Sequence, residues 1–531
     1  MLFPSRKTSS MCKQFLNTKL PGLDPDAVRI LILQTSQNAG DNVGDNTLQS
    51  INVALYCVLY PAEHAAVAKQ VWQHTGDGVS SRRAEFFLTA LREGHLQEDE
   101  SNSSPKLPSS RSKRGPRRYQ KQESLSEHTH DLNGLNASHE APPSDGREFF
   151  QFIEERFGRN LNEKLAQKAK VAVRRRIAGT LLSNHDLSES VPALEESPFQ
   201  RTKGLSEDDV YLFPCGMSSI FNTHQILLAS REQRKSVCFG FPYIDTLKVL
   251  EKWGPGVLFY GNGTDDDLDH LERRLKNGER FLALFTEFPS NPLLRSPDLQ
   301  RIRRLADQYD FAIVVDESVG NLINVNVLQY ADVVVSSLTK VFSGDSNVMG
   351  GSATLNTQSP IYQSIKQAFN TYYEDNYWIE DAVFLERNSR DFISRIERMN
   401  YTTEAVIEFL RSSPLIKDVY YPNCVPSKKH YDACKNPHGG YGGLFSLTFH
   451  AYEHAIAFFD NLHVLKGPSL GTNFTLSCPF VIIAHYNELD WAASFGVPRD
   501  LVRVAVGLEE KEDLIARFQV ALDAIAKVAS A

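Results

Sequence analysis

The sequence lacks several features that would place it in a particular class of protein. It has no apolar run close to the ~20 residues that span a bilayer, and no charged-then-apolar signal pattern at its amino terminus. It has no basic excess, since the net charge is −8, which argues against a general nucleic-acid binder. Its seven cysteines include no Cys-x-x-Cys pair, which is typical of a reducing compartment and indicates no zinc site. We therefore expect a cytosolic protein that binds neither membranes nor nucleic acid and holds no metal.

A chain of 531 residues is too long for one ordinary domain. The stretch 99–145 is rich in Ser, Pro, Asn and charge, so it buries too little apolar surface to fold and is predicted to be a disordered linker that begins near Gln97. We expect an amino-terminal α/β extension at 1–98, an arm at 146–204, a large α/β domain at 205–375 and a smaller α/β domain at 376–531.

The amino-terminal extension is predicted to contain strands at 28–33 and 51–60 and helices at 62–71 and 81–92. Between its helices, the run from Trp72 to Glu85 is unusual in composition. We interpret it as a turn at Gly76, Asp77 and Gly78, followed by a serine that caps the next helix.

The large domain alternates strand and helix patterns, which predicts a mostly parallel sheet covered by helices on both faces. Strands are predicted at 210–214, 236–241, 257–261, 281–286, 311–316, 331–337 and 350–355, with helices at 217–230, 267–276 and 297–309. A further helix, 162–182, is predicted in the arm that precedes this domain. In the smaller domain we expect a helical run at 381–409, a strand at 443–449 and a closing helix at 510–526. The glycine-rich run 439–443 precedes a strand and is predicted to be a turn, not a phosphate loop.

Lys340 lies shortly after an apolar β-branched run, 333–335, that reads as a strand buried on both faces. Burial disfavours an ammonium by several kcal/mol or makes it lose its proton, so this lysine needs a partner or a chemical role. A neutral amine there can form a Schiff base with an aldehyde. The ordinary alternative is that Lys340 extends from the strand end into solvent.

Two other sites in the large domain suit the same chemistry. The apolar run 311–315 ends in Asp316, whose carboxylate would face a cation such as a protonated pyridine nitrogen. The stretch 211–220 reads as strand, tight turn and helix start, and small residues at a helix amino terminus leave N–H groups for a phosphate. A strand-end lysine, a strand-end aspartate and such a helix start are the parts that pyridoxal 5′-phosphate requires.

A set of motifs in a fixed order carries a family resemblance over about residues 146 to 531. The matching residues are Cys215, Gly216 and Met217, Tyr243, Glu287 to Pro292, Asp316, Ser337 to Lys340, Ser469 to Gly471, and Val502 to Glu509. In this order they resemble the trans-sulfuration group of fold-type I pyridoxal-phosphate enzymes, the Cys/Met metabolism family, and within it the fungal cystathionine γ-synthases. Similar amino-terminal units occur there, and the unit here looks like a shortened version.

The resemblance implies roles around the cofactor. Lys340 would hold the cofactor covalently and move protons, Asp316 would keep the pyridine nitrogen protonated, and Tyr243 would stack on the ring and help protonate a leaving group. For Tyr243, a plain core tyrosine is the alternative. The cofactor phosphate would be bound by Gly216, Met217, Ser337 and Thr339.

Arg503 lies in an otherwise apolar strand, 501–506, where an unpaired guanidinium would be costly. A substrate α-carboxylate would satisfy it bidentately, with Asn291 and Ser469 as further substrate-binding residues by resemblance. A buried ion pair with Glu509 is the alternative.

The arm carries a second expectation about the cofactor. Helices are predicted at 149–157 and from 162, joined by a turn that contains Arg159. In related enzymes a Tyr-x-Arg of this arm reaches the neighbouring subunit's cofactor phosphate; here Phe157 replaces the tyrosine, so one phosphate hydrogen bond is missing. The resemblance therefore implies a homodimer or homotetramer with shared active sites.

The reaction that the resemblance implies is γ-replacement on an O-acyl-L-homoserine by cysteine, giving cystathionine in methionine biosynthesis. Reaction type does not follow from the core residues, because this fold also hosts β- and γ-elimination. Two alternatives stay open: another nucleophile or an elimination in fungal specialised metabolism, and a catalytically silent assembly partner. The presence of Lys340, Asp316, Tyr243 and Arg503 together argues against the silent partner.

Overall fold

A computed structural model of the chain describes residues 1–35, 53–98, 163–181 and 201–530. Elements are numbered along these residues. The strands are β1 (Leu2–Phe3), β2 (Arg29–Thr35), β3 (Ala54–Leu59), β4 (Leu96–Glu98), β5 (Val210–Phe213), β6 (Ser236–Phe239), β7 (Val257–Tyr260), β8 (Ala283–Glu287), β9 (Ala312–Asp316), β10 (Val333–Ser337), β11 (Gly351–Leu355), β12 (Ile416–Tyr420), β13 (Leu444–Phe449), β14 (Leu465–Lys466), β15 (Leu476–Pro479) and β16 (Val502–Ala505).

The helices are distributed between and around these strands. They are α1 (Arg6–Lys19), α2 (Ala65–Thr75), α3 (Ser81–Arg92), α4 (Glu163–Ala178), α5 (Gly216–Ser230), α6 (Ile244–Lys252), α7 (Asp265–Lys276), α8 (Leu299–Tyr309), α9 (Tyr362–Tyr372), α10 (Ile379–Asn388), α11 (Phe392–Arg411), α12 (Lys428–Asp432), α13 (Tyr452–Asn461), α14 (Phe480–Ala484), α15 (Leu489–Ser494) and α16 (Lys511–Ala529). Among the described residues, no helix has the length and apolar character needed to cross a membrane.

The central sheet has seven strands in the order β5-β11-β10-β9-β8-β6-β7. From β10 to β7 all neighbours run parallel, whereas β11 is antiparallel to both β10 and β5. The predicted mostly parallel sheet is therefore confirmed. Each predicted strand of the large domain coincides with an observed strand to within about two residues at either end, the usual uncertainty of such boundaries.

Both faces of the central sheet are buried, which explains the continuous apolar runs. Val314, Val333 and Val335 pack on one face against residues of α5 and α9. Ile313 and Val334 pack on the other face, in a core shared with α7 and α8. Fully burying one such side chain typically contributes about 1.5–3 kcal/mol. Packing on both faces of the sheet therefore holds each strand, and with it the residues at its end, in position.

Two smaller sheets flank the central one. The four-stranded sheet β1-β3-β2-β4 lies in the amino-terminal unit and has its own core around Phe3, Leu16 and Val58. The five-stranded sheet β12-β13-β16-β15-β14 lies in the carboxyl-terminal part, where α11, α13 and α16 cover it. Because β16 is in the middle of this sheet, its side chains are buried.

Some sequence expectations need correction. The predicted helical run 381–409 is two helices, α10 and α11, with a break where the buried Ser389 hydroxyl donates to the Glu386 carbonyl at 2.9 Å and competes with the helix ladder. Gln97 and Glu98 belong to β4, which pairs with β2, and not to the linker. Helices α1, α6, α9, α12, α13, α14 and α15 had no counterpart among the predicted elements.

Candidate active site

The carboxyl ends of three parallel strands meet at one edge of the central sheet. Glu287 at the end of β8 is in register with Asp316 at the end of β9, and Asp316 is in register with Val335 of β10. Ser318 joins the last two strands, because its N–H donates to Asp316 Oδ1 at 2.8 Å and its hydroxyl accepts from the Ser337 N–H at 2.7 Å. The edge therefore gathers two carboxyl groups just before the chain reaches Lys340.

Lys340 lies three residues beyond the end of β10, and a neighbouring loop holds its amine. Its Nζ donates to Ser469 Oγ at 3.2 Å. Burial, assisted by the positive charge of Arg503, lowers the pKa of Lys340 to about 8, while the carboxylate of Asp316 acts in the opposite direction. The amine is partly neutral near pH 7 and is placed for nucleophilic chemistry.

Glu287 and Asp316 form a coupled pair of buried carboxyl groups. Burial, followed by the charge of Asp316, raises the pKa of Glu287. Burial also raises the pKa of Asp316, against the Ser318 hydrogen bonds and the charge of Lys340. In two such groups in register, the charge of one disfavours ionisation of the other unless a further cation lies nearby.

Arg503 extends from β16 into the same cleft. Its Nη1 donates to Asn291 Oδ1 at 3.0 Å, and its Nη2 donates to the carbonyls of Pro468 and of Ser469, the latter at 3.0 Å. No carboxylate in the described part of the chain pairs with it. Glu509 instead accepts from the Thr475 N–H and hydroxyl, both at 2.7 Å, so the alternative Arg503–Glu509 pair is wrong.

The turn before α5 packs directly onto the end of β10. A Cβ placed on Gly216 would lie 2.7 Å from Ser337 Cβ, so only glycine allows this approach. The N-cap of α5 is Cys215, whose thiol donates to the Gly76 carbonyl, and the first N–H groups of the helix lie at the sheet edge that carries Ser337. This arrangement suits an anion.

The sequence matches two family descriptions. Residues 200–523 match the Cys/Met metabolism PLP-dependent enzymes, and residues 1–80 match the fungal trans-sulfuration enzyme N-terminal domain. The chain belongs to the Cys/Met metabolism family of pyridoxal-phosphate-dependent enzymes.

Individual members of this family extend the match to the whole chain. The protein is 47% identical to the cystathionine γ-synthase of Neurospora crassa, over 98% of this chain and 86% of that one. It is 40% identical to the cystathionine γ-synthase-like enzyme iboG2 of Amanita muscaria, over 99% of this chain and 85% of the relative.

A solved structure supports the fold. Cystathionine γ-synthase from Xanthomonas oryzae pv. oryzae, in complex with cystathionine, superposes with a TM-score of 0.54 at 20% identity. The matched region covers 68% of this chain and 98% of the Xanthomonas chain. The predicted fold class, a fold-type I pyridoxal-phosphate enzyme with a mostly parallel seven-stranded sheet, is thereby confirmed.

The residues at the sheet edge fit pyridoxal phosphate. Lys340 supplies a primary amine for the aldehyde. Asp316 supplies a buried carboxyl group with a raised pKa, and the positive charge of a protonated ring nitrogen would lower this pKa again. The Gly216 turn and Ser337 could supply donors for the phosphate, with Met217 in the same helical turn. Thr339 is the exception, since its hydroxyl already bonds the Gly350 carbonyl at 3.3 Å and N–H at 3.1 Å.

Tyr243 immediately precedes α6 at the mouth of this cleft. Its side chain is 50% exposed, so the alternative of a core tyrosine is wrong. Burial of its hydroxyl, together with the charge of Asp245, raises the pKa of Tyr243 to about 12, so it keeps its proton at neutral pH. The hydroxyl is therefore a proton donor and not a base.

Glu287 had no assigned role in the sequence interpretation, although it lies within a matching motif. In the structure its carboxyl group accepts from the Tyr243 N–H and, at 3.1 Å, from the Asn291 N–H. It thus connects Tyr243 to Asn291, which in turn accepts from Arg503. The sequence feature that could have identified Glu287 as a site residue was its position as a strand-end carboxylate one strand away from Asp316.

The structure brings together most of the predicted site residues. Lys340, Asp316, Ser469, Asn291 and Arg503 are linked directly by the contacts above or by mutual electrostatic interaction. Arg159 and Phe157 lie outside the described residues.

Proposed function

We propose that the protein is a cystathionine γ-synthase, which joins cysteine to an O-acyl-L-homoserine. In the overall reaction the Cγ–O bond breaks, the acyl group leaves as a carboxylate, and the cysteine thiolate forms the Cγ–S bond of cystathionine. The observation that carries this proposal is 47% identity to an enzyme of that name over 98% of the chain. The contacts among Lys340, Ser469 and Arg503 support it.

Lys340 is the proton carrier in this proposal. Bound pyridoxal phosphate withdraws electrons from the bonds at the substrate Cα. With its pKa near 8, Lys340 Nζ takes a proton from Cα and returns it at a neighbouring carbon, because both its neutral and charged forms are accessible near neutral pH. Ser469 Oγ, 3.2 Å from Nζ, holds the amine in position between these transfers.

Arg503 binds and orients the substrate in this scheme. A guanidinium has five N–H donors, and the three hydrogen bonds to Asn291, Pro468 and Ser469 fix its plane. A substrate α-carboxylate would accept from the guanidinium N–H groups that these bonds leave and would supply the anion that the described residues do not. Because Ser469 contacts both Arg503 and Lys340, carboxylate binding places the substrate Cα beside the amine.

Two further residues act at either side of the cofactor. Tyr243 would cover the exposed ring face and, because its raised pKa keeps the hydroxyl protonated, would donate a hydrogen bond to the acyl group that leaves as a carboxylate. Asp316 would hold its negative charge against the ring nitrogen. Once the protonated ring nitrogen is present beside Asp316, Glu287 is the one of these two carboxyl groups that retains a proton.

We also propose a shared active site and a cytosolic location. Arg159 would reach the phosphate of a neighbouring subunit, which requires at least a two-fold dimer and allows a dimer of dimers. All seven cysteines lie in the described part of the chain and each is a free thiol, which is consistent with a reducing compartment.

A second candidate is γ-replacement or elimination with a different nucleophile. The 40% identity to iboG2, which is named as a cystathionine γ-synthase-like enzyme, favours keeping it. The residues described above serve either reaction, because they act on the homoserine part of the substrate and not on the nucleophile.

Product analysis separates these candidates. Purified holoenzyme is incubated with O-acetyl- or O-succinyl-L-homoserine and with cysteine, homocysteine, sulfide or no nucleophile, and products are identified by mass spectrometry. The proposal predicts cystathionine as the main product with cysteine. A product that does not incorporate cysteine, or formation of 2-oxobutanoate at the same rate with and without cysteine, would support the second candidate.

A further inference from the structure

The Gly-Asp-Gly turn of the amino-terminal unit lies against the first turn of α5. Asp77 is only 3% exposed. Its carboxyl group accepts hydrogen bonds from the Ser218 hydroxyl and from Asn222 Nδ2, the latter at 3.1 Å to Oδ1 and 3.4 Å to Oδ2. These bonds span more than a hundred residues of sequence, so they join two separate units of the protein.

The approach of this turn to α5 is as close as sterics allow. Gly76 has φ = +63°, and a Cβ there would lie 2.5 Å from Cys215 Sγ and 2.6 Å from the Ser218 N atom. The Gly76 carbonyl also accepts from the Cys215 thiol at 3.4 Å. The turn therefore contacts the N-cap and the first helical turn of α5.

Other contacts hold the amino-terminal unit at this place. Arg82 donates to Asp381 Oδ1 at 2.9 Å and to the Asn347 carbonyl at 2.6 Å, and Ser5 donates to Glu374 at 2.7 Å. None of these bonds touches α5. The bonds to α5 and the general docking bonds are thus made by different residues, which allows their effects to be separated.

We propose that Asp77 is a positioning residue for the cofactor phosphate. It fixes the Ser218 hydroxyl and with it the first turn of α5, so that the Gly216 turn keeps its N–H groups directed at the phosphate. The amino-terminal unit is then a structural part of the cofactor site. This inference rests on the proposed location of the phosphate at Gly216 and Ser337.

A carboxyl group on the helix turn that would bind the phosphate is tolerated here for an electrostatic reason. Burial raises the pKa of Asp77 to about 7, against the hydrogen bonds from Ser218 and Asn222. The charge of Lys7 lowers this pKa and that of Glu374 raises it. The carboxyl is therefore only partly charged near neutral pH, which limits its repulsion of the phosphate.

The test compares dissociation constants of two ligands for the full-length apoprotein. Pyridoxal phosphate and pyridoxal both carry the aldehyde that Lys340 binds, but only the first carries the phosphate. Asp77→Ala should weaken pyridoxal phosphate binding about ten-fold, as expected for the loss of a buried hydrogen-bond acceptor, and leave pyridoxal binding unchanged. Asp77→Asn, which keeps an acceptor for Ser218, should restore most of the affinity.

Two controls separate the possible failures. Arg82→Ala loosens the docking of the same unit without touching α5, and should leave both constants unchanged. Ser337→Ala should reduce the preference for the phosphate ligand if the phosphate lies where proposed. If folded Asp77→Ala keeps the wild-type preference for pyridoxal phosphate over pyridoxal while Ser337→Ala loses it, the role of Asp77 alone is overturned. If both variants keep the wild-type preference, the proposed location of the phosphate is overturned. Equal losses in Arg82→Ala and Asp77→Ala would reduce Asp77 to general docking.

Discussion

Replacing Arg503 tests the proposed carboxylate site most thoroughly. Arg503→Leu removes the guanidinium and leaves three acceptors, Asn291 Oδ1 and the carbonyls of Pro468 and Ser469, without their donor. Losing a desolvated charge partner typically removes about 2–5 kcal/mol of binding free energy. That range corresponds to a decrease in kcat/KM of about 30- to 5,000-fold, expressed mainly as a higher KM because the carboxylate is bound in the ground state as well.

The same change should also destabilise the protein, because buried acceptors without donors cost about 1–3 kcal/mol each. Arg83→Leu provides a matched control for this second effect. Arg83 is also buried and also donates to backbone carbonyls, those of Pro4 at 2.9 Å and Ala54 at 3.0 Å, but it lies in the amino-terminal unit. It should lower stability without raising KM.

Arg503→Lys divides the contributions further. Lysine keeps the positive charge but loses the planar donor fork, so it should recover part of the affinity and little of the orientation. Steady-state KM and kcat, the dissociation constant of pyridoxal phosphate and the urea midpoint are measured for all three variants. A normal KM in Arg503→Leu, or an equal rise in Arg83→Leu, would show that the guanidinium is structural.

Three further outcomes are expected. Covalent capture of pyridoxal phosphate by apoprotein should accelerate with pH and level off near the Lys340 pKa of about 8; a rise that continues toward ~10.4, the value of an ordinary lysine, contradicts the burial argument. Because burial raises the pKa of Glu287, this residue contributes its full stabilisation at pH values below its pKa in the unfolded chain, and the contribution is lost as pH rises through its pKa in the folded chain. Glu287→Gln apoprotein should therefore lose less unfolding free energy than wild type between pH 5 and pH 8, and equal losses in the two proteins would refute this. Mixing inactive Lys340→Ala with inactive Arg159→Ala subunits should restore activity through hybrid dimers; continued inactivity after demonstrated subunit exchange rules out the shared site.

The strands of the central sheet could be predicted from the sequence because they are buried on both faces. Val333 to Val335 form a continuous β-branched run, which is typical of a strand buried on both faces, and the polar residues that follow mark the strand end. Helix α1 lacked such a signal. Two of its core-facing positions are Thr8 and Ser9, whose polarity hides the helical period.

The members of the candidate site could be predicted as well, but several of their contacts could not. Arg503 and Glu509 are near in sequence, yet the strand carries Arg503 toward Ser469 while Glu509 lies beyond the strand end and caps Thr475. The contact between Asp77 and Ser218 depends on how two units dock, and local patterns contain no information about it.

The same limit applies to Glu287. Its position at a strand end was visible, but its role follows from the register of β8 with β9 and from the loops that return to it. Only that register shows that one carboxyl group receives the N–H groups of both Tyr243 and Asn291.

Borohydride trapping tests the central claim, that Lys340 is the residue that binds the cofactor covalently. Holoenzyme is reduced with sodium borohydride and digested, and the pyridoxyl-phosphate label is located by peptide mass spectrometry. The predicted result is a single labelled residue, Lys340, and no label in Lys340→Ala prepared in the same way. A label on another lysine, or undiminished labelling of Lys340→Ala, would contradict the account.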